Sequence, residues 1–381
     1  RNYLKRSFSS IITGILLVWF LAASLPVIAQ DYYPPAGEWE RKSPMEMGFD
    51  ATRLESAVQF ARENEYTGSR DLRIAILKGF QREPYHEIVG PTRKRGGPAG
   101  LIIRNGYIVA EWGDIERVDM TFSVTKSYLS TVAGLAIDRG LINSVDDRVS
   151  EYVWDGTFEG VHNAKITWEH LLNQSSDWSG DLFGMQDWAD RPPDEGGITD
   201  WRNRDLNEPG TFYKYNDVRV NVLAYSLLQV WRIPLPQVLK ENIMDPIGAS
   251  TTWRWYGYED SWVNVDGTWV QSVSGGGHSG GGIFINSMDH ARFGLLFLRK
   301  GKWEGQQLFT EEWIRMVTEP SPANESYGYM WWLSDNLYYA AGFGGNYIVI
   351  CPDHDMVIVT RWLEPSERPQ FIKMVIESLS L

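Results

Sequence analysis

Thr121 to Gly140 reads TFSVTKSYLSTVAGLAIDRG, and the chemistry of the chain turns on its opening residues. Ser123 and Lys126 stand three apart, so on a helix beginning at Ser123 their side chains share a face within hydrogen-bonding reach. Val124, Leu129, Val132, Ala133, Ala136 and Ile137 make a stripe of helical period, and Gly140 is the expected stop. A serine at a helix start has its hydroxyl at the positive end of the macrodipole and its own N–H free to face an oxyanion. The pattern therefore places a nucleophile beside a base. A Ser-x-x-Lys arises about once by accident in a chain of this size, and no second copy occurs here.

The flanking sequence predicts the fold. Ala99–Ile103 and Tyr107–Trp112 enclose Arg104-Asn105-Gly106, and Asn-Gly between two apolar runs is a strong hairpin signature. A second hairpin, Tyr347–Cys351 and Met356–Trp362 around Pro352-Asp353, lies near the other end, followed by a helix near Pro369–Ser378. Asp50 caps a predicted helix over Ala51–Asn64. Strand pairs at both ends with a helical middle imply one α/β (α+β) domain. Its antiparallel sheet is built from both chain ends, flanked by helices, with an inserted helical lobe. The domain is expected over 47–381, after an extension over 30–46.

The first 29 residues carry Arg1, Lys5 and Arg6, then an apolar run from Ile11 to Leu25, then Pro26 and Val27-Ile28-Ala29. That order is the one a secretory signal peptide has, which predicts a periplasmic or secreted protein with no stable membrane partner after cleavage. An uncleaved membrane anchor is the alternative. Removing these three basic groups takes the formal charge from −13 to −16, an acidic balance that argues against nucleic acid as a partner. The single cysteine, Cys351, permits no internal disulfide and sits at a strand end, where a buried inert thiol is expected. The six histidines form no His-Glu-x-x-His motif, so spacing supports no metal site. Most of the 18 tryptophans are expected to pack the core, with a few in loops lining an apolar pocket.

Gly277-His278-Ser279-Gly280-Gly281 fits Gly-x-Ser-x-Gly, the nucleophile elbow of α/β-hydrolases. An elbow needs a helix leaving the serine at once. Here Ile283-Phe284-Ile285 reads as a strand, and the next helix starts only at Asn286 or Ser287. The glycines are better explained as a turn that brings backbone close to a ligand or another strand.

Taken together, the chain resembles the serine β-lactamase and penicillin-binding superfamily from about Ser43 onward. The match is to the branch with class C β-lactamases, D-amino-acid peptidases, esterases and nylon-oligomer hydrolases. Phe122-Ser123-Val124-Thr125-Lys126 matches its first motif, and Pro209-Gly210-Thr211 with Tyr215 matches the lead-in and tyrosine of the second. Gly281-Gly282-Ile283-Phe284 before Asp289-His290-Ala291-Arg292-Phe293 matches the approach to a family helix. The resemblance implies that Ser123 is acylated, that Lys126 and Tyr215 share the proton transfers, and that no metal or cofactor takes part; Tyr213 is the fallback tyrosine.

Two departures bear on substrate. Asp217 stands where the family has asparagine, and Gly342-Phe343-Gly344 is the best fit to its Lys-Thr-Gly or His-Thr-Gly strand. By position, the Gly345 N–H becomes the second oxyanion donor, with Phe343 beside it. His278 either projects into the cleft from its glycine turn or is structural. The expected function is an exported serine hydrolase acting on a small ester or amide. A β-lactamase or D-amino-acid peptidase, and a binding module without turnover, are the alternatives. With an acid at 217 and no cation at 342, neutral substrates are expected to be preferred.

Overall fold

The computed structural model describes residues 31–194 and 196–380; the segment read as a signal peptide lies outside them. Tyr32 to the C-terminus forms one unit. The stretch set apart in the sequence as an extension is tied into it: Trp39 Nε1 donates to Gly106 O at 2.7 Å, and Arg292 donates to the carbonyls of Pro34, Pro35 and Glu38. Among the described residues, no helix is long and apolar enough to cross a membrane.

The predicted hairpins form. β1 (Ala99–Arg104) and β2 (Tyr107–Trp112) are joined by Asn105 and Gly106 at φ 50° and 87°, the left-handed pair such a turn requires. The chain then supplies β3 (Asp119–Met120), β4 (Arg254–Val265), β5 (Thr268–Val273) and β6 (Gly282–Ile285). It ends with β7 (Trp332–Ser334), β8 (Leu337–Gly342), β9 (Asn346–Cys351) and β10 (Met356–Arg361). The main sheet runs β7-β8-β9-β10-β1-β2, antiparallel throughout, so strands from the two ends of the chain meet where β1 pairs β10. A second sheet runs β3-β6-β4-β5.

Both faces of the main sheet are covered, and the period of two shows which side chain goes where. Ile102, Val349 and Ile358 pack under α1 (Ala51–Glu63) and the C-terminal helix, with Leu54, Val58, Phe371 and Val375. Leu101, Ile103, Ile348, Ile350, Val357 and Val359 point to the opposite layer, with Phe293 and Leu296. Asp50 caps α1 as expected, accepting from the N–H groups of Thr52 and Arg53. α2 is Leu72–Gly79. The helical lobe contributes α3 (Thr125–Asp138) and α4 (Asp217–Trp231); α5 (Ser287–Leu298) lies on the sheet, and α6 (Arg368–Glu377) closes the chain. Cys351 is buried, which pushes its thiol up to about 12, in line with an inert side chain.

Arg361 at the end of β10 locks the two sheets together. Its guanidinium donates to Ile285 O, Met120 O and Asn346 Oδ1 at 2.7 to 2.9 Å while fully inside the protein. Arg361→Ala leaves these acceptors unsatisfied, and each buried orphan costs about 1–3 kcal/mol. We expect chemical denaturation to show a loss of about 3 kcal/mol; a loss under about 1 kcal/mol would show that the lock contributes little.

Candidate active site

Ser123 sits in a single 3-10 turn, Phe122–Val124, immediately before α3, rather than as the first residue of the α-helix. Phe122 is held at φ 51°, an unusual conformation for a bulky residue, and it is buried against Phe343 and Trp362. The turn aims the half-exposed Ser123 into a cleft while everything after it up to Ala136 is buried. One turn on, Lys126 Nζ donates to Ser123 Oγ at 2.7 Å, as the spacing predicted.

Lys126 is only 1 % exposed, and its second partner is Asp217 Oδ1 at 2.6 Å. Asp217 is the first residue of α4, whose cap is Asn216 accepting from the N–H of Arg219. Its other oxygen takes a hydrogen bond from Arg191, which also pairs with Asp190 Oδ1 at 2.7 Å, and Asp190 in turn accepts from the Asp217 N–H. Burial alone would raise the Asp217 carboxyl; Lys126, then Arg191, hold it far below the ordinary carboxylate range. For Arg191 burial works downward, and the charges of Asp190 and Asp217 overcome it and hold the guanidinium raised. Asp217, 2 % exposed, is thus the lysine's counter-ion and not a wall of the cleft, contrary to its expected role at the substrate.

The glycine-rich turn makes this pair possible. A Cβ on Gly276 would fall 2.0 Å from Asp217 Oδ1 and 2.3 Å from Lys126 Nζ. The expectation that backbone approaches something closely there is met, and what it approaches is the ion pair. Ser279 lies in the same turn, with its carbonyl accepting from the N–H groups of Val89 and Gly90 and no helix following. Of the two histidines after Ser279 that an elbow could use as base, His290 and His354, His290 is buried between Thr121 Oγ1 at 2.6 Å and Tyr128 OH at 2.8 Å. Burial pushes it well below its usual value, so it is neutral and structural.

The cleft over Ser123, about 510 Å³, is lined by Phe80, Arg191, Tyr215, Trp332, Phe343 and Arg368 among others. Tyr215 stacks on Trp332 at 6.0 Å, and its ring lies 4.7 Å from Lys126 Nζ. Tyr213 is half-buried against Tyr327 and does not line it. The tryptophan of the cleft is Trp332.

Three expectations change on the β8 side. Gly342 presses on the serine turn: a Cβ there would lie 2.1 Å from Thr121 O and 3.3 Å from Ser123 N, so no lysine fits at 342. Gly345 is spent in the hairpin loop, donating to Gly342 O at 3.2 Å with its Cα against Leu363 O, and is no free oxyanion donor. The cleft is not without cations either. Arg191 and Arg368 both line it, and Arg368, stacked 4.4 Å over Tyr339, has no ion pair among the described residues. The expected discrimination against substrate carboxylates therefore loses both its acid and its missing cation. His278 packs against Phe80 with ring centroids 3.9 Å apart and the planes tilted by 50°, and it lines a different cavity.

Arg191, Asp190, Arg368 and Trp332 carried no motif in the sequence; a loop brings Asp190 and Arg191 to the site, while Arg368 and Trp332 come from the starts of α6 and β7. Asp217→Asn should strand the buried Lys126 ammonium and take from Arg191 one of its two carboxylates, at about 3–5 kcal/mol in denaturant unfolding. Because the folded carboxyl is depressed, its contribution is present above the unfolded value of about 4 and is lost as pH falls below it. The variant should therefore lose stability less steeply than the parent below that pH, and parallel pH profiles would contradict the ion pair.

The beta-lactamase family model matches residues 94–362. The 6-aminohexanoate-dimer hydrolase of Paenarthrobacter ureafaciens is 23 % identical over 308 residues, covering 71 % of this chain and 74 % of that one. Among solved structures, EstCE1, described as a hydrolase with promiscuous acyltransferase activity, superposes with a TM-score of 0.57 at 16 % identity, covering 87 % of this chain and 99 % of that one. A Mycobacterium bovis β-lactamase gives 0.53 at 18 %, covering 80 % and 100 %. The last two likenesses show the fold. With a family match that spans most of the chain and contains Ser123, Lys126 and Tyr215, the protein belongs to the beta-lactamase family and is a serine hydrolase.

Proposed function

We propose that the protein cleaves an ester or amide of a small molecule through an acyl-enzyme on Ser123. The observation that carries this is Lys126 Nζ at 2.7 Å from Ser123 Oγ at the floor of an open cleft. Ser123 Oγ attacks the carbonyl carbon as its proton passes to Lys126 in the free-amine form, and the transfer returns the lysine to the ammonium that pairs with Asp217, 2.6 Å away. Tyr215, whose ring covers the lysine, protonates the leaving group and regains its proton from Lys126; water then attacks the acyl carbonyl as the freed amine takes its proton, which releases the acid and Ser123. The Ser123 N–H is one oxyanion donor. The second on this reading is the Phe343 N–H, next after Gly342 where β8 passes the serine and extends beyond its last pair with β7. Export rests on residues 1–29, whose charge and apolar pattern support a periplasmic or secreted protein.

Arg368 favours a second reading, in which the substrate carries a free carboxylate as a β-lactam or a peptide terminus does. Among the described residues, its guanidinium is the cleft cation without an acidic partner.

Ser123→Ala should abolish hydrolysis of short-chain esters, by about a million-fold if serine and base act as a unit, with the fold retained by circular dichroism. Lys126→Arg should fail as well, since arginine cannot take the serine proton. Ser279→Ala should keep most activity; the reverse pattern would restore the elbow. Arg368→Ala should lower the ratio of kcat/KM for a penicillin over a neutral ester by about tenfold or more, the worth of a charged hydrogen bond. An unchanged ratio would remove the carboxylate reading.

A further inference from the structure

Beside the serine cleft, on the far side of His278, lies a second cavity of about 410 Å³ lined by Glu83, His86, Asp190 and His278 among others. We propose that Glu83, His86 and His278 form a binding site for a divalent transition-metal ion, zinc by its ligand set, at the inner end of this cavity. One ring nitrogen of each histidine and one Glu83 oxygen lie within 4.8 Å of one another. Zinc bonds of about 2.0–2.2 Å in a tetrahedron put ligand atoms about 3.3 Å apart, so side-chain rotation of about 1 to 1.5 Å completes the set. Two histidines and a glutamate with a further position open to the cavity make a donor set zinc accepts, and Asp190 Oδ1, 3.7 Å from His278 Nε2, is a fourth oxygen within reach.

The surroundings suit a cation. His278 Nε2 shares a proton with Glu83 Oε2 at 2.5 Å, while its Nδ1 is buried with no hydrogen-bond partner, 3.6 Å from Asp217 Oδ2. Three carboxylates thus face one imidazole. Lys126 and Arg191 answer Asp217 and Asp190, but among the described residues no lysine or arginine side chain bonds to Glu83, whose other oxygen accepts only the Arg191 backbone N–H. A metal replacing the shared proton supplies that missing charge. His86 is already arranged as a ligand: one ring nitrogen is bonded to the His278 carbonyl at 3.0 Å, the outer contact that orients metal-bound histidines. Tyr85 at φ 61° folds the loop so that Glu83 and His86 both line the cavity. The spacing of the six histidines hid this trio because its members come from 83, 86 and 278, brought together by Gly280, whose Cβ would fall 2.3 Å from Gly90 O.

The site is independent of the acyl-enzyme reading, and its test uses no turnover. Calorimetric titration of the chelator-treated full-length protein with zinc chloride near neutral pH should give one site of micromolar affinity or tighter, weakening as pH falls because a proton must leave. His86→Ala and Glu83→Gln should each weaken it by about tenfold or more, whereas His354→Ala, in the distant β9–β10 turn, should not. Cobalt(II) should develop a visible absorption band in the parent that His86→Ala lacks. Binding only at millimolar metal, or binding indifferent to both ligand variants in folded protein, overturns the proposal. Should His86→Ala fail to fold, Glu83→Gln decides alone.

Discussion

The structure of the site depends on one buried contact, the ion pair between Lys126 and Asp217. Taking two charges out of water costs several kcal/mol per ion, and only tight geometry with further hydrogen bonds offsets it. Here Asp217 stands at the N-terminus of α4, where the helix dipole favours negative charge, and Arg191 and Asp190 complete its surroundings. Lys126 gives its second hydrogen bond to Ser123. Gly276 leaves the pair the space it needs, since any side chain there would occupy the position of the carboxylate. Nucleophile, base, counter-ion and glycine turn are therefore a single device contributed by α3, α4 and the segment before β6.

The rest of the fold brings those parts to one place. The sheet built from both chain ends delivers β8 so close to the serine turn that only glycine fits at 342. Arg361 ties the end of that sheet to β6 and β3, the strands beside the turn. The helical lobe supplies the opposite wall through Tyr215 and Arg191, and α6 adds Arg368 from the far end of the chain. Aromatic faces and two guanidinium groups line the cleft.

What could be read in the sequence was local. Ser123 and Lys126 share a helix turn, Asn105-Gly106 dictates its own hairpin, and Asp50 caps α1; each needs only neighbours a few residues away. Tyr215 was found through a motif. Asp217 was seen and misjudged, because sequence shows that a carboxylate replaces an amide but not that a lysine and an arginine from elsewhere enclose it. The register of β8 was also misjudged: Gly342 and Gly345 look alike in Gly-Phe-Gly-Gly, and only the contact with Thr121 O tells which one meets the serine. Arg191, Arg368 and the Glu83–His86–His278 trio were illegible, since loops and chain ends far apart in sequence assemble them.

The central claim is that Ser123, and no other serine, carries the acyl group. Intact-mass spectrometry of the protein quenched during turnover of a slowly released aromatic ester, followed by peptide mapping, tests it directly. The account predicts a single acyl adduct on the peptide containing Ser123, absent after Ser123→Ala. An adduct on the peptide containing Ser279, or turnover by the Ser123→Ala protein at the parental rate, would contradict it.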